Sequence, residues 1–125
     1  MLSVRRRGSC PLDYSKCNQT VTVYHQVKPG KYTRLVYDRA FLDFRKNRNM
    51  DKTGSRESTS FLLIVPGEGV SIFPGDKVLL GTGPVVNTRE EWAALIPAQV
   101  AGLVVVKYVD PKYWQGRQCH VEAGG

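Results

Sequence analysis

The side chains best equipped for chemistry in this 125-residue chain are two histidines, three cysteines and a run of basic residues. Cys10, Cys17, Cys119 and His120 are ligands of the type that hold zinc. However, six residues separate the first two cysteines, more than the two to four of zinc knuckles, and adjacent Cys-His ligands are awkward around one tetrahedral ion. His25 has no serine or cysteine in a recognisable nucleophile setting. Gly81-Thr82-Gly83 runs into Pro84 and lacks the lysine of a phosphate-binding loop. The aspartates and glutamates form no paired-carboxylate motif. No catalytic residue, metal or cofactor is therefore expected, and a binding or assembly role is favoured over an enzyme.

Charge supplies a more informative pattern. The net +7 divides into 13 Lys/Arg against 4 Asp/Glu over residues 1–56, and 5 against 7 over residues 57–125. A basic half joined to a mildly acidic half suits nucleic acid or the acidic face of a neighbouring copy. The loudest stretch is 45–58, RKNRNMDKTGSRES, in which Arg45, Lys46, Arg48, Lys52 and Arg56 crowd into fourteen residues. It has too little apolar surface to pack as an element and reads as a mobile basic loop facing a partner or DNA. Arg5, Arg6 and Arg7 mark a second contact point in an N-terminal arm, residues 1–18.

The elements that must position these residues are mostly short strands. Gln19–Val27 alternates, with Val21, Val23, His25 and Val27 on one face and Thr20, Thr22 and Tyr24 on the other. Lys28-Pro29-Gly30-Lys31 is a turn, and a second strand runs over 32–44 with a bulge expected near Arg39 or Ala40. Phe61–Thr82 holds three apolar runs, 61–65, 70–73 and 78–80, split by Pro66-Gly67 and Pro74-Gly75, and reads as a tight meander. Thr88 with Glu91 is a capping box opening a two-turn helix, whose apolar face is Trp92, Leu95 and Ile96. Residues 102–109 read as a buried strand broken by Asp110-Pro111, then an amphipathic loop, a last short strand over 118–122 and a tail. Tyr113 and Trp114 in that loop either cap the core or anchor an interface. The fold expected is mainly β: one domain over 19–125, a small antiparallel β-barrel or sandwich of six to seven strands with one short α-helix and a long basic loop. No apolar run is long enough to span a membrane, and three cysteines behind an N-terminus without a secretory signal predict free thiols in a cytoplasm.

The order of elements adds a resemblance. Thr20–His25, Ile72, Gly75-Asp76-Lys77-Val78 and Gly81 are similar to small head-to-tail connector proteins, the head-closure or stopper family of the neck in tailed phages and prophages of Gram-positive bacteria. The resemblance covers about a quarter of the chain. It implies a virion structural protein, made in the host cytoplasm, that forms a homo-oligomeric ring of six or twelve copies beneath the portal. Adaptor, portal and tail-side neck proteins would be its partners, with packaged double-stranded DNA passing through the lumen. A tail-terminator or tail-completion ring is the related alternative. A rival of another class is a free single-stranded nucleic-acid-binding barrel, with Tyr24, Tyr32 and Tyr37 stacking bases beside Lys31, Arg34 and Arg39.

Overall fold

The computed structural model describes residues 12–51 and 54–125, with the side chains of 46–51 and 54–59 left outside the description. Seven antiparallel strands, β1 (Gln19–Lys28), β2 (Lys31–Asp51), β3 (Gly54–Pro66), β4 (Lys77–Leu80), β5 (Leu103–Val105), β6 (Tyr108–Trp114) and β7 (Arg117–Gly124), form one sheet in the order β5-β4-β1-β2-β3-β7-β6. The helix α1 (Arg89–Ala94) lies between β4 and β5.

β2 is the hinge of the architecture. Its first part pairs with β1 as far as Gln19↔Ala40, and its second part pairs with β3 from Phe41↔Ile64 onward. The expected bulge sits at this change of partner, where two steps along β1 from Gln19 to Val21 face three along β2 from Ala40 to Tyr37. The sheet thereby folds over one core shared by Val21, Val23 and Val78 from one half and Leu63, Val65 and Val121 from the other. Its edge strands, β5 and β6, are joined through only Val106 and Lys107. The ladder does not close into a barrel; covalent connection bridges the gap, and a folded sheet or sandwich describes it.

Several expectations need correction. The 61–82 meander is absent: β3 and β4 are not neighbours, and Val70–Phe73 is not a strand. That segment crosses between the two halves. Its alternation is real, because Val70 and Ile72 are buried, but its backbone bonds to side chains: Val70 N–H donates to Gln118 Oε1 and Phe73 N–H to Asp76 Oδ2. Asp110-Pro111 does not end a strand but lies within β6, which tolerates a residue lacking N–H because it is an edge. The expected loop after it is the β6–β7 hairpin, turned by Gln115 (φ 51°) and Gly116 (φ 77°), and the expected tail continues β7 to Gly124. The expected loop over 45–58 is also a ladder in its backbone, paired through Asp51↔Gly54.

β1 is covered on both sides. Behind it, Tyr24, Leu79, Val86, Leu95 and Leu103 form a second core under α1. The helix opens as its sequence predicts, with Thr88 Oγ1 accepting from Glu91 N–H and Glu91 Oε1 accepting from Thr88 N–H. It docks through a layered contact: Tyr32 stacks on Trp92 with centroids 5.1 Å apart, and the Lys77 ammonium lies 4.4 Å from the centroid of that indole while donating to the Trp92 carbonyl at 2.6 Å.

A buried carboxylate joins β1 to the β4 turn. Asp76, 2% exposed, accepts from His25 Nδ1–H at 2.6 Å and from Phe73 N–H at 2.9 Å. Replacing His25 with Leu leaves this carboxylate in the interior with one partner fewer, and should lower the unfolding free energy by about 3 kcal/mol. Urea denaturation checks this as a reduced midpoint at constant slope; an unchanged midpoint would show that the pair does not hold the joint. Lys77 gives a second test. Burial pushes its amine below the ordinary 10.5. The folded chain therefore sheds that proton at lower pH than the unfolded one, so stability gains as pH rises through the window beneath 10.5. Lys77→Met should flatten that alkaline gain in thermal midpoint.

Candidate functional site

The β2–β3 hairpin outruns the rest of the sheet. β1 stops supporting β2 at Ala40, and β7 supports β3 only from Leu62 to Pro66. From Arg45↔Ser60 to Asp51↔Gly54, seven residue pairs form a ribbon whose two strands have only each other. An isolated two-stranded ribbon is marginal in water. Lys46 stands opposite Thr59, Arg48 opposite Glu57 and Asn49 opposite Arg56. Arg45, at the base, is exposed and pairs with Asp43 at 3.3 Å; an exposed pair of this kind contributes little and is readily exchanged for another anion. The structure thus brings Arg45, Lys46, Arg48 and Arg56 onto one arm through its backbone, while Lys52 and Arg5, Arg6 and Arg7 lie outside the described residues.

The base of the arm is apolar and open. Phe44 and Phe61 are cross-strand partners, and Phe44 is 39% exposed. They line a cavity of about 360 Å³ with Pro97, Leu103 and Val105, and Lys107 also borders it. Sequence reasoning missed this feature. It is assembled from four separate segments, around 44, 61, 97–107 and 125, so no local pattern announces it.

Tyr113 and Trp114 do not cap the core. They sit at the end of β6 beside the hairpin turn, 63% and 43% exposed. Of the three tyrosines of the nucleic-acid alternative, one is buried and two are half-buried. Tyr24 is fully buried with its hydroxyl donating to the Pro84 carbonyl, Tyr32 is stacked on Trp92, and Tyr37 packs against the main core. Arg34 is equally committed, since Nε and Nη2 both donate to the Gly83 carbonyl. The polar face expected of Thr22 and Tyr24 lies instead under the α1 layer.

Residues 12–18 are bound to the body by a relay. Burial, with smaller contributions from Cys17 and Glu122, raises the Tyr14 phenol above 10.0, so it keeps its proton and donates to His120 Nδ1 at 2.6 Å. His120 Nε2–H in turn donates to Glu122 at 2.9 Å. Both nitrogens of this 2%-exposed imidazole are thereby occupied. Cys17 beside it is a buried free thiol, its pKa raised by burial. Cys119 is disulfide-bonded, which corrects the expectation of three free thiols: an odd count says nothing of which strands come together. Cys10 lies outside the described residues. Among the described residues no cluster of three or more His, Cys, Asp or Glu is placed to hold a metal ion, and no helix is long and apolar enough to cross a membrane. His25, oriented by a carboxylate as a general base would be, opens on a small recess with Gln26, Pro74 and Trp92, none of them a nucleophile.

Tyr14→Phe removes the donor and leaves His120 Nδ1 buried without its partner, at a cost of about 1–3 kcal/mol. Alkylation of Cys17 under native conditions should accelerate by roughly tenfold as residues 12–18 loosen. An unchanged rate would show that the relay does not hold them. Comparison with family models, curated proteins and solved structures found no match.

Proposed function

We propose that this chain is a structural assembly protein: a ring-forming head-to-tail connector of the phage neck, joining head to tail beneath the portal and closing around the DNA channel. The observation that carries this reading is the β2–β3 arm, seven residue pairs long, which leaves the folded body with no third strand beside it. A monomer gains nothing from projecting such a ribbon, whereas a copy in a ring can lay it on its neighbour, its adaptor or the DNA within. The contact is then heterologous, arm to body, and closes by rotation into six or twelve copies. The exposed Tyr113–Trp114 tip and the open apolar base at Phe44 supply surfaces for the neighbouring copy.

The tail-terminator alternative would use the same arm and ring. The free single-stranded nucleic-acid barrel is less well supported, because Tyr24 is buried and Tyr32 and Tyr37 are half-buried, Tyr32 with one face stacked on Trp92.

The test is mass in solution, alone and with a purified portal–adaptor ring. The full chain should join that ring in fixed stoichiometry. A variant in which residues 46–59 are replaced by a two-residue Asn-Gly turn should keep the thermal midpoint of the body and lose assembly. Assembly of the shortened variant at wild-type levels would overturn the arm's role, and no association of the full chain with any neck component would overturn the reading itself.

A further inference from the structure

β5 is a free end of the sheet, pairing only with β4, and the cavity of about 360 Å³ runs alongside it. Leu103, Val104 and Val105 border that cavity from one side, Phe44 and Phe61 from the other. The backbone of β5 decides what can fill it. Gly102 C=O accepts from Leu80 N–H, and Val106 N–H donates to the Asp76 carbonyl, so residues 102 and 106 turn their backbone groups toward β4. In an antiparallel ladder this orientation repeats every second residue, so Val104 does the same while Leu103 and Val105 turn theirs outward. Leu103 N–H is bonded to the Val100 carbonyl at 3.4 Å, and the Val105 carbonyl faces Gly125, where an added Cβ would lie 2.9 Å from it. Leu103 C=O and Val105 N–H remain, without a partner among the described residues. A slot with apolar walls and an unpaired carbonyl and amide along one side does not suit a hydrocarbon, because polar groups shut away from water need partners.

We infer that the open edge of β5 binds an extended peptide segment of a partner protein, added as a parallel strand with one large apolar residue in the cavity and an acidic residue following it. The two open groups fix the direction. In a parallel pair, one residue of the incoming strand gives its N–H to residue i−1 of its neighbour and takes the N–H of residue i+1 on its own C=O. With Val104 as residue i, those groups are Leu103 C=O and Val105 N–H. The side chain of Val104 belongs to the main core, and residues side by side in a sheet point to the same face. The incoming residue that makes both bonds therefore directs its side chain toward Phe44 and Phe61, covering the half-exposed ring of Phe44. Lys107 supplies charge complementarity. It borders the cavity beyond Val105, exposed and without an ion-pair partner among the described residues, and so meets a carboxylate two or three residues after the buried one. Main-chain bonds along an edge with a pocket for one side chain are the working parts of strand addition. The slot takes no residue beyond the foot of the arm, so this inference stands apart from the arm's role and from ring assembly.

The experiment uses the full chain and the fluorescein-labelled heptapeptide Ser-Thr-Phe-Thr-Glu-Glu-Ser, titrated by anisotropy beside variants of that peptide. Replacing its Phe with Ala, or N-methylating the Phe amide that donates to Leu103 C=O, should each weaken binding roughly tenfold. Exchanging Glu-Glu for Lys-Lys should weaken binding to the native chain and restore it in Lys107→Glu. Hydrogen exchange at the Val105 amide should slow by roughly tenfold or more when peptide is bound. Val105→Pro deletes that donor on an edge, where proline is tolerated, and should abolish binding. Where that variant lowers the thermal midpoint, Phe44→Ala is the second test: it keeps the edge and should erase the preference for Phe over Ala in the peptide. No binding of any of these peptides at millimolar concentration would overturn the inference, as would equal affinity for the N-methylated peptide or a folded Val105→Pro chain that binds as before. Self-association of the chain that Val105→Pro abolishes, with no peptide bound, would overturn it as well, placing a second copy on the edge.

Discussion

The buried carboxylate of Asp76 is the constraint on which the rest of this structure depends. A charged group taken out of water must be fully partnered, and the partners of Asp76 come from places the chain has to bring together. His25 reaches it from β1 and the Phe73 amide from the preceding turn. The backbone at the same point clips the junction between the two edge strands: Gly75 N–H donates to the Val106 carbonyl, and Val106 N–H donates to the Asp76 carbonyl. One residue thus ties the middle of the sheet to the place where β5 becomes β6. The open sheet needs such a clip, since no ladder of hydrogen bonds joins its two edges.

This dependence explains which parts of the fold can be read from sequence. β1, the Pro29-Gly30 turn, the bulge near Ala40 and the Thr88–Glu91 cap are local, each set by side-chain period or turn chemistry within a few residues. The segments whose structure departs from their local pattern answer to distant partners. Val70 and Ile72 alternate like a strand because the core requires it, but their neighbour in space is Gln118, and the bond that matters is side chain to backbone. Pro111 looks like a terminator until β6 is known to be an edge. Tyr24 and Thr22 look like a wet face until the 83–100 segment folds over them, where Thr22 Oγ1 donates to the Gly81 carbonyl and accepts from Gly83 N–H. Gly83 marks the tightness of that cover, for a Cβ there would collide with the Tyr24 hydroxyl.

The candidate site was legible in charge and not in shape. The basic composition of 45–58 marks it as the part of the chain that faces outward, and the absence of apolar residues argues against packing. What composition cannot show is that β2 and β3 simply continue through it. Their pairing begins at the apolar base with Phe41↔Ile64, Leu42↔Leu63 and Phe44↔Phe61, and the same ladder continues through the polar pairs beyond. A strong hydrophobic root can thus carry polar strands beyond the body, which a reading of the polar residues alone misses.

The residues behind the family resemblance belong to the scaffold and not to the arm. Thr20–His25 lie on β1, Gly75–Val78 form the turn and the start of β4, and Gly81, at φ 93°, donates its N–H to the Thr20 carbonyl. These residues are the joint around Asp76. Such a joint is a solution to folding a short open sheet, and any protein needing that sheet can arrive at it. What sets this chain apart is what it adds to the joint. That addition is the extended β2–β3 ladder, lying in a segment, 45–58, whose sequence carries a net +3. Among the described residues, both cores are built from side chains outside the ribbon. A segment that concentrates charge beyond the last strand of the body is best explained by what it meets.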